Sequence, residues 1–183
     1  HEDGSADFTV LGGDQFQVIE FGNFKLGKIF GWKWNDLNGN GVWDEGEPAL
    51  SGWKIWFECV DPYYLTGWTV TNEDGYYEFT GLPSGTYVVW EVGQADWIPT
   101  SSPEAEVDII GHTEARVDFF NFKLGCVWGY KYEDMNGDGM LDDGDLPLAG
   151  WTVGLFDVTG RLIAMTITDG DGYYSFCSLG PGT

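Results

Sequence analysis

The sequence predicts an all-β chain of tandem antiparallel β-sandwich domains, and three observations carry that expectation. Glycine and proline punctuate the chain at intervals of roughly eight to twelve residues. The runs between them are short, rich in aromatic and β-branched residues, and show no helical period. The whole pattern then returns at a spacing of domain size, too long for one turn of a solenoid.

Taken in order, the strand candidates are 28–34, 53–60, 68–71, 76–79, 86–92, 107–110 and 115–122. Each is bounded by turn-forming residues such as Asp74-Gly75 or Pro83-Ser84-Gly85. About seven strands make one sandwich. The connection over 37–50 is too long for a hairpin turn, and a loop of that length in a compact domain usually has a job.

The repeat is read from matched segments. Asn23-Phe24-Lys25-Leu26-Gly27 returns as Asn121-Phe122-Lys123-Leu124-Gly125, an offset of 121 − 23 = 98 residues. The same shift carries Gly31-Trp32-Lys33 onto Gly129-Tyr130-Lys131 and Ser51-Gly52-Trp53 onto Ala149-Gly150-Trp151. One deletion later, Asp74-Gly75-Tyr76-Tyr77 matches Asp171-Gly172-Tyr173-Tyr174. Residues 1–26 therefore read as the C-terminal hairpin of a preceding repeat, 27–124 as a complete sandwich, and 125–183 as the N-terminal part of a following one. This frame reads as a window on a longer tandem protein; the sharper alternative is that residues 1–23 complete the open last bead of a neighbouring copy as a donated strand.

Composition excludes several function classes. With 43% apolar and 17% aromatic residues the 183-residue chain has ample material for packed cores. Its net charge of −22 repels nucleic acid and anionic lipid surfaces. No apolar run is long enough to insert in a membrane. Cys59, Cys126 and Cys177 lack metal-ligand spacing, and free thiols are the expectation. His1 and His112 have no ligand partner nearby in sequence, and no nucleophile, base and oxyanion set can be assembled, so no enzyme is expected.

The long loop carries the clearest chemistry. Asp36, Asn38, Asn40, Gly41 and Glu47 fit the spacing of a calcium loop, with Asp44 at its ninth place. Calcium takes about six to eight hard oxygen ligands, which alternate side chains at the first, third and fifth places can supply from one side. Val42 would add its carbonyl, and Glu47 would close the far side. The second copy supplies Asp134, Asn136, Asp138, Met140, Asp142 and Asp145, where the closing ligand is one methylene shorter and weaker closure is expected. One Ca2+ per loop is the cofactor expected. Strands rather than helices flank the loop, so the ion should brace a sandwich rather than open a groove.

The segment Gly31-Trp32-Lys33-Trp34-Asn35-Asp36-Leu37-Asn38-Gly39-Asn40-Gly41, with Gly46-Glu47-Pro48, Asp74-Gly75-Tyr76-Tyr77-Glu78-Phe79 and Gly81-Leu82-Pro83-Ser84-Gly85-Thr86-Tyr87, resembles the calcium-binding B-type repeats of serine-aspartate-repeat surface proteins (SdrD B-type), related to the Cna-B domains and transthyretin-like sandwiches. The resemblance covers practically all of the chain except 95–105. It implies an extracellular, cell-surface or envelope-associated protein acting as stalk, fibre or sheath, with neighbouring repeats or copies of itself as partners. An adhesin module gripping a glycan or protein is the alternative, and an accessory region of a large secreted enzyme the second alternative.

Cna-B relatives often join a Lys of the first strand to an Asn of the last, with an acid as proton shuttle. Carried onto this sequence, the resemblance implies Lys33, Asn121 and Glu91, the only catalysis expected being this autocatalytic isopeptide bond. Alternation alone argues otherwise, because Phe30, Trp32 and Trp34 would point inward and leave Lys33 in water. If instead Lys33 points inward, those aromatics and their counterparts Trp128, Tyr130 and Tyr132 form an outward ladder. Cover by the ion loop or an adjoining bead, lateral packing, and stacking on sugars are its three readings.

Overall fold

The computed structural model describes residues 22–182; His1 and most of the hairpin expected over residues 8–23 lie outside them. Nine strands come first: β1 (Gly27–Asn35), β2 (Lys54–Asp61), β3 (Leu65–Val70), β4 (Tyr76–Leu82), β5 (Gly85–Glu91), β6 (Trp97–Pro99), β7 (Glu104–Ile109), β8 (Glu114–Arg116) and β9 (Phe119–Lys123). They form two sheets, one ordered β4-β1-β9-β6 with β8 also on β1, the other β3-β2-β5-β7. The expected sandwich is present, with one refinement: β1 runs parallel to both β8 and β9, so the first strand lies beside the last. The short strand β6 was not expected from the sequence.

Ile29, Trp53, Ile55, Phe57, Tyr77, Phe79, Tyr87, Val89 and Phe119 fill the space between the sheets. Strict alternation on β2 (Ile55, Phe57, Cys59 inward) and β5 (Tyr87, Val89, Glu91 inward) is what period-two side chains require. On β1, alternation selects the face opposite to the one apolar content favours. Ile29, Gly31 and Lys33 point inward, while Phe30, Trp32 and Trp34 are half-buried on the outside. Packing explains the choice. Tyr77 comes so close to β1 that a Cβ on Gly31 would meet its ring and overlap the Val117 carbonyl. The Tyr77 hydroxyl donates to that carbonyl at 2.7 Å. Indole rings on the inward face would have no room.

The outward aromatics are covered from within the chain. Trp32 packs on Tyr76 at 5.2 Å with the Arg116 guanidinium over it at 4.6 Å, and Lys28 lies over Phe30. Trp34 packs on Trp43, which belongs to the long loop.

Six further strands follow: β10 (Gly125–Tyr130), β11 (Tyr132–Glu133), β12 (Leu146–Pro147), β13 (Thr152–Phe156), β14 (Leu162–Ile167) and β15 (Tyr173–Leu179). They reproduce the earlier registers: Gly129 faces Tyr174 as Gly31 faces Tyr77, and Gly154 faces Met165 as Trp56 faces Trp68. One expectation is corrected here. Cys126 and Cys177 are not free thiols but a disulfide that ties β10 to β15. The two are 51 residues apart, and only the β10–β15 register sets them face to face. Their counterparts in the first sandwich are the paired Lys28 and Thr80. Cys59 is free and buried at the end of the core face of β2.

A methyl group at Gly31 meets backbone that has nowhere to move. Gly31→Ala is expected to destabilise the first sandwich by about 2 kcal/mol or more, measured as a fall in the midpoint of chemical unfolding.

Candidate functional site

Two groups of polar residues meet where β1 ends. The first is the loop from Asp36 to Glu47. Asp36 is fully buried, and its carboxylate accepts from the N–H groups of Gly39 (2.6 Å), Asn40 (3.2 Å) and Gly41 (2.7 Å). Gly39 and Gly41 adopt positive φ, which lets three successive amides turn toward one side chain. Burial raises the Asp36 carboxyl, but the Thr100 hydroxyl nearby and the amides of Gly41, Gly39 and Asn40 outweigh it and hold the group below its ordinary value. Glu47, also buried, closes the loop: Oε1 accepts from Leu37 N–H at 2.9 Å and Oε2 from Asp44 N–H at 3.1 Å. Asp44 Oδ2 accepts from the side-chain amides of both Asn38 (2.7 Å) and Asn40 (2.8 Å).

The second copy repeats this network nearly bond for bond. Asp134 accepts from Gly137, Asp138 and Gly139; Asp145 accepts from Met135 (2.9 Å) and Asp142 (3.0 Å); Asn136 donates to Asp142 at 2.9 Å. The shorter Asp145 thus makes both closing bonds that Glu47 makes. Val42 and Met140 donate their N–H groups to the Asn40 and Asp138 side chains.

The donor set suits a hard cation, since the Asp, Asn and Glu side chains of the loop all offer oxygen and Val42 and Met140 could add a backbone carbonyl. Among the described residues, however, no three His, Cys, Asp or Glu side chains gather into a cluster able to hold a metal. The acids alone therefore do not make a site. A cation here needs the carboxamide oxygens of Asn38 and Asn40, whose NH2 groups now face Asp44, to turn toward it.

The second group lies beneath the loop. Lys33 on β1, Glu91 at the end of β5 and Asn121 on β9 are all buried, and Lys33 Nζ is 3.2 Å from Glu91 Oε2. The structure thus brings together three residues that are 30 to 88 positions apart (121 − 91 and 121 − 33). Trp53 forms the floor, its ring 4.6 Å from Lys33 Nζ. Lys33 Nζ, Glu91 Oε2, Asn121 Oδ1 and Trp53 Nε1 are each out of contact with solvent and lack a hydrogen bond of full geometry. Lys33 and Glu91 at least face each other as an ion pair, but an unpartnered buried polar atom costs about 1–3 kcal/mol, and Asn121 Oδ1 and Trp53 Nε1 beside that pair call for an explanation.

Burial pulls the Lys33 ammonium down to about 8, against the attraction and hydrogen-bonding pull of Glu91 and the charge of Asp36. Burial pushes the Glu91 carboxyl above its ordinary value, opposed chiefly by Lys33 and then by Asn121 and Trp53. Both shifts favour the same state, a neutral amine beside a protonated acid. The two groups share backbone as well, because Asp36 N–H donates to the Asn121 carbonyl at 2.9 Å.

The equivalent Lys131 sits in the same backbone frame, bonded to Gly172 and Leu148 as Lys33 is to Gly75 and Leu50, and lies over Trp151 at 5.1 Å. It forms no ion pair among the described residues. His112 is exposed in a turn away from both groups.

A family model for the SdrD B-like domain matches residues 27–112 and 126–183, and the chain belongs to that family. Serine-aspartate repeat-containing protein F of Staphylococcus epidermidis is 30% identical over 189 residues, covering 95% of this chain and 12% of that protein. Serine-aspartate repeat-containing protein D of Staphylococcus aureus is 31% identical over 194 residues, covering 98% of this chain and 15% of that protein. The chain thus spans only 12% and 15% of the lengths of these two relatives. Among solved structures, the Bacillus anthracis TIE protein aligns over 84% of this chain and 26% of its own at 18% identity (TM-score 0.46). The shaft pilin SpaA of Lactobacillus rhamnosus GG aligns over 84% and 82% at 11% identity (TM-score 0.43).

The lowered Lys33 value has a signed consequence. In Asn121→Ala, between pH 8 and pH 10 the unfolded chain holds a proton on Lys33 that the folded chain has released, so stability is expected to rise with pH across that window. Calorimetry at pH 7.5 and 9.5 checks this, and adding Lys33→Met should abolish the rise.

Proposed function

We propose that this chain is a load-bearing segment of an extracellular, cell-surface or envelope-associated stalk, fibre or sheath. Its repeats divide at 26/27 and 124/125, and each is braced by one Ca2+. In the complete repeat a covalent bond between Lys33 and Asn121 adds a second brace. The observation that carries this reading is the buried trio of Lys33, Glu91 and Asn121, where the first and last strands lie side by side with Lys33 held against Glu91 and the Asn121 oxygen left without a hydrogen bond. A mechanical part needs its terminal strands held together, and this is where a bond would hold them.

The chemistry follows from the environment. With its proton passed to the adjacent Glu91, Lys33 Nζ attacks Asn121 Cγ while Glu91 donates that proton to the carboxamide oxygen. Glu91 then carries a proton from the attacking nitrogen to Nδ2 and takes back the proton on the oxygen as the carbonyl re-forms; Nδ2 leaves as ammonia, and a secondary amide remains. The product resolves the orphaned groups: the new amide N–H faces Glu91, and no ammonium stays buried.

In the loops, Asp36, Asn38, Asn40, Asp44 and Glu47, with the Val42 carbonyl, would hold the first ion. Asp134, Asn136, Asp138, Asp142 and Asp145, with the Met140 carbonyl, would hold the second. Calcium would supply positive charge that offsets the crowded carboxylates and ties the loop to the end of β1. Partners on this reading are neighbouring repeats or further copies, engaged by lateral packing or by donation of residues 1–23 as a strand. The relatives named for serine-aspartate repeats support a surface setting.

Intact mass tests the covalent part. The complete repeat should weigh about 17 Da less than its sequence, the mass of one ammonia, and Lys33→Met or Glu91→Ala should restore the full value. A full mass in the unaltered protein rejects the bond. Calcium is tested separately: at a free concentration a hundredfold above Kd it should add about 3 kcal/mol of stability, removed by chelator and by Glu47→Ala in the first loop.

A further inference from the structure

Two sets of aromatic residues lie on the outer faces of the first sandwich, and comparison of the two repeats separates them. The ladder on β1 and β4 recurs: Phe30, Trp32 and Tyr76 become Trp128, Tyr130 and Tyr173, with the same neighbouring contacts. A feature kept in both repeats is explained by the fold they share. On the other sheet, Trp68 of β3, Trp56 of β2 and Trp90 of β5 stand directly opposite one another in a single row across three strands. In the second repeat the places of Trp56 and Trp68 are taken by Gly154 and Met165. The fold does not need this row.

We infer that the Trp68–Trp56–Trp90 row is a binding platform for a neutral pyranose oligosaccharide. Trp56 and Trp90 have nearly parallel ring planes, 7° apart with centroids at 6.2 Å, and Trp68 continues the row at 6.3 Å from Trp56. Trp68 is 55% exposed and the other two are half-buried. A pyranose ring has an apolar carbon–hydrogen face and a rim of hydroxyl groups. An aromatic row flanked by a few polar side chains matches both. The flanks are of that kind: Lys54 Nζ lies 4.7 Å from the Trp56 centroid and 4.2 Å from that of Trp68, Glu58 follows on the same face of β2, and Glu104 ends the row opposite Trp90.

Size and charge decide against other occupants. With about 250 Å² for a whole tryptophan, the row leaves at most about 300 Å² open, and roughly 450 Å² with the adjacent Val70 and Val92. A stable dimer needs about 800 Å² per partner, so a second copy is too large an occupant for so small a patch. Anionic ligands are repelled by Glu58, Glu104 and a net charge of −22. A cation would meet the like charge of Lys54, which lies over two of the rings, whereas a pyranose needs only that the flexible Lys54 side chain swing from the ring faces to the sugar's hydroxyl rim. A neutral ligand whose hydroxyls accept from Lys54 and donate to Glu58 or Glu104 uses both signs of the flank.

The inference stands apart from the calcium and cross-link readings, and its test uses the whole chain at fixed calcium. Titration calorimetry with hexasaccharides of β-1,4-linked glucose and of β-1,4-linked N-acetylglucosamine should show saturable binding to at least one. Trp68→Ala and Trp90→Ala should each weaken it at least tenfold with the melting temperature unchanged within a few degrees, while Trp128→Ala, in the recurring ladder of the second repeat, leaves it intact. Absence of heat with both sugars at millimolar concentration overturns the proposal, as does binding indifferent to Trp68→Ala. Sedimentation showing dimers that Trp68→Ala dissolves would assign the row to protein contact instead.

Discussion

The contact on which the rest depends is the meeting of the first strand with the last at Lys33, Glu91 and Asn121. Burying an ion pair costs several kcal/mol per charge, and the attraction between the partners repays that only when every remaining polar atom is satisfied. Here Lys33 Nζ and Glu91 Oε2 have only each other, at 3.2 Å and without hydrogen-bond geometry, and Asn121 Oδ1 and Trp53 Nε1 have no hydrogen-bond partner. The cluster relieves the cost by shifting both groups toward their neutral forms, which is also the protonation state that amide exchange requires. The stability of this place and the reactivity proposed for it thus trace to one desolvation.

Topology gives the contact its mechanical meaning. Because β1 and β9 run parallel, a pull on the N-terminal end of β1 and the C-terminal end of β9 shears them past one another and loads their hydrogen bonds together. The loop is fastened to the same place: Asp36 bonds the Asn121 backbone, Asn35 bonds Pro48, and Leu50 bonds Lys33. Whatever stiffens the loop therefore stiffens the junction of the terminal strands. A brace elsewhere in the sandwich would carry less of the load.

The sequence displays these features unevenly. The loop is legible because its ligand spacing is local and occurs twice in register, and the hydrogen-bond network recurs accordingly. The facing of β1 is not, since Phe30, Trp32 and Trp34 outnumber Ile29 and Lys33 in apolar weight; what reverses the strand is Gly31 yielding to Tyr77, a contact between residues 46 positions apart (77 − 31). Spacing marks Glu47 only as a ligand, whereas its two oxygens already clasp the loop backbone. The disulfide is hidden for the same reason as the strand facing, since only strand register sets Cys126 against Cys177. The tryptophan row does leave a trace in the sequence, because the repeat offset sets Trp56 and Trp68 against Gly154 and Met165. That trace marks the two positions as peculiar to one repeat, but only the pairing of β2 with β3 and β5 lines them up with Trp90.

The central claim is that the terminal strands of the complete repeat are fastened to each other, and stretching a single molecule tests it most directly. With Lys33 joined to Asn121, the 88 residue steps from one to the other (121 − 33) lie inside a closed loop and cannot lengthen under load. The account predicts that no unfolding step from this repeat includes them. A step of about 300 Å, the reach of 88 extended residue steps at roughly 3.4 Å each, would contradict it.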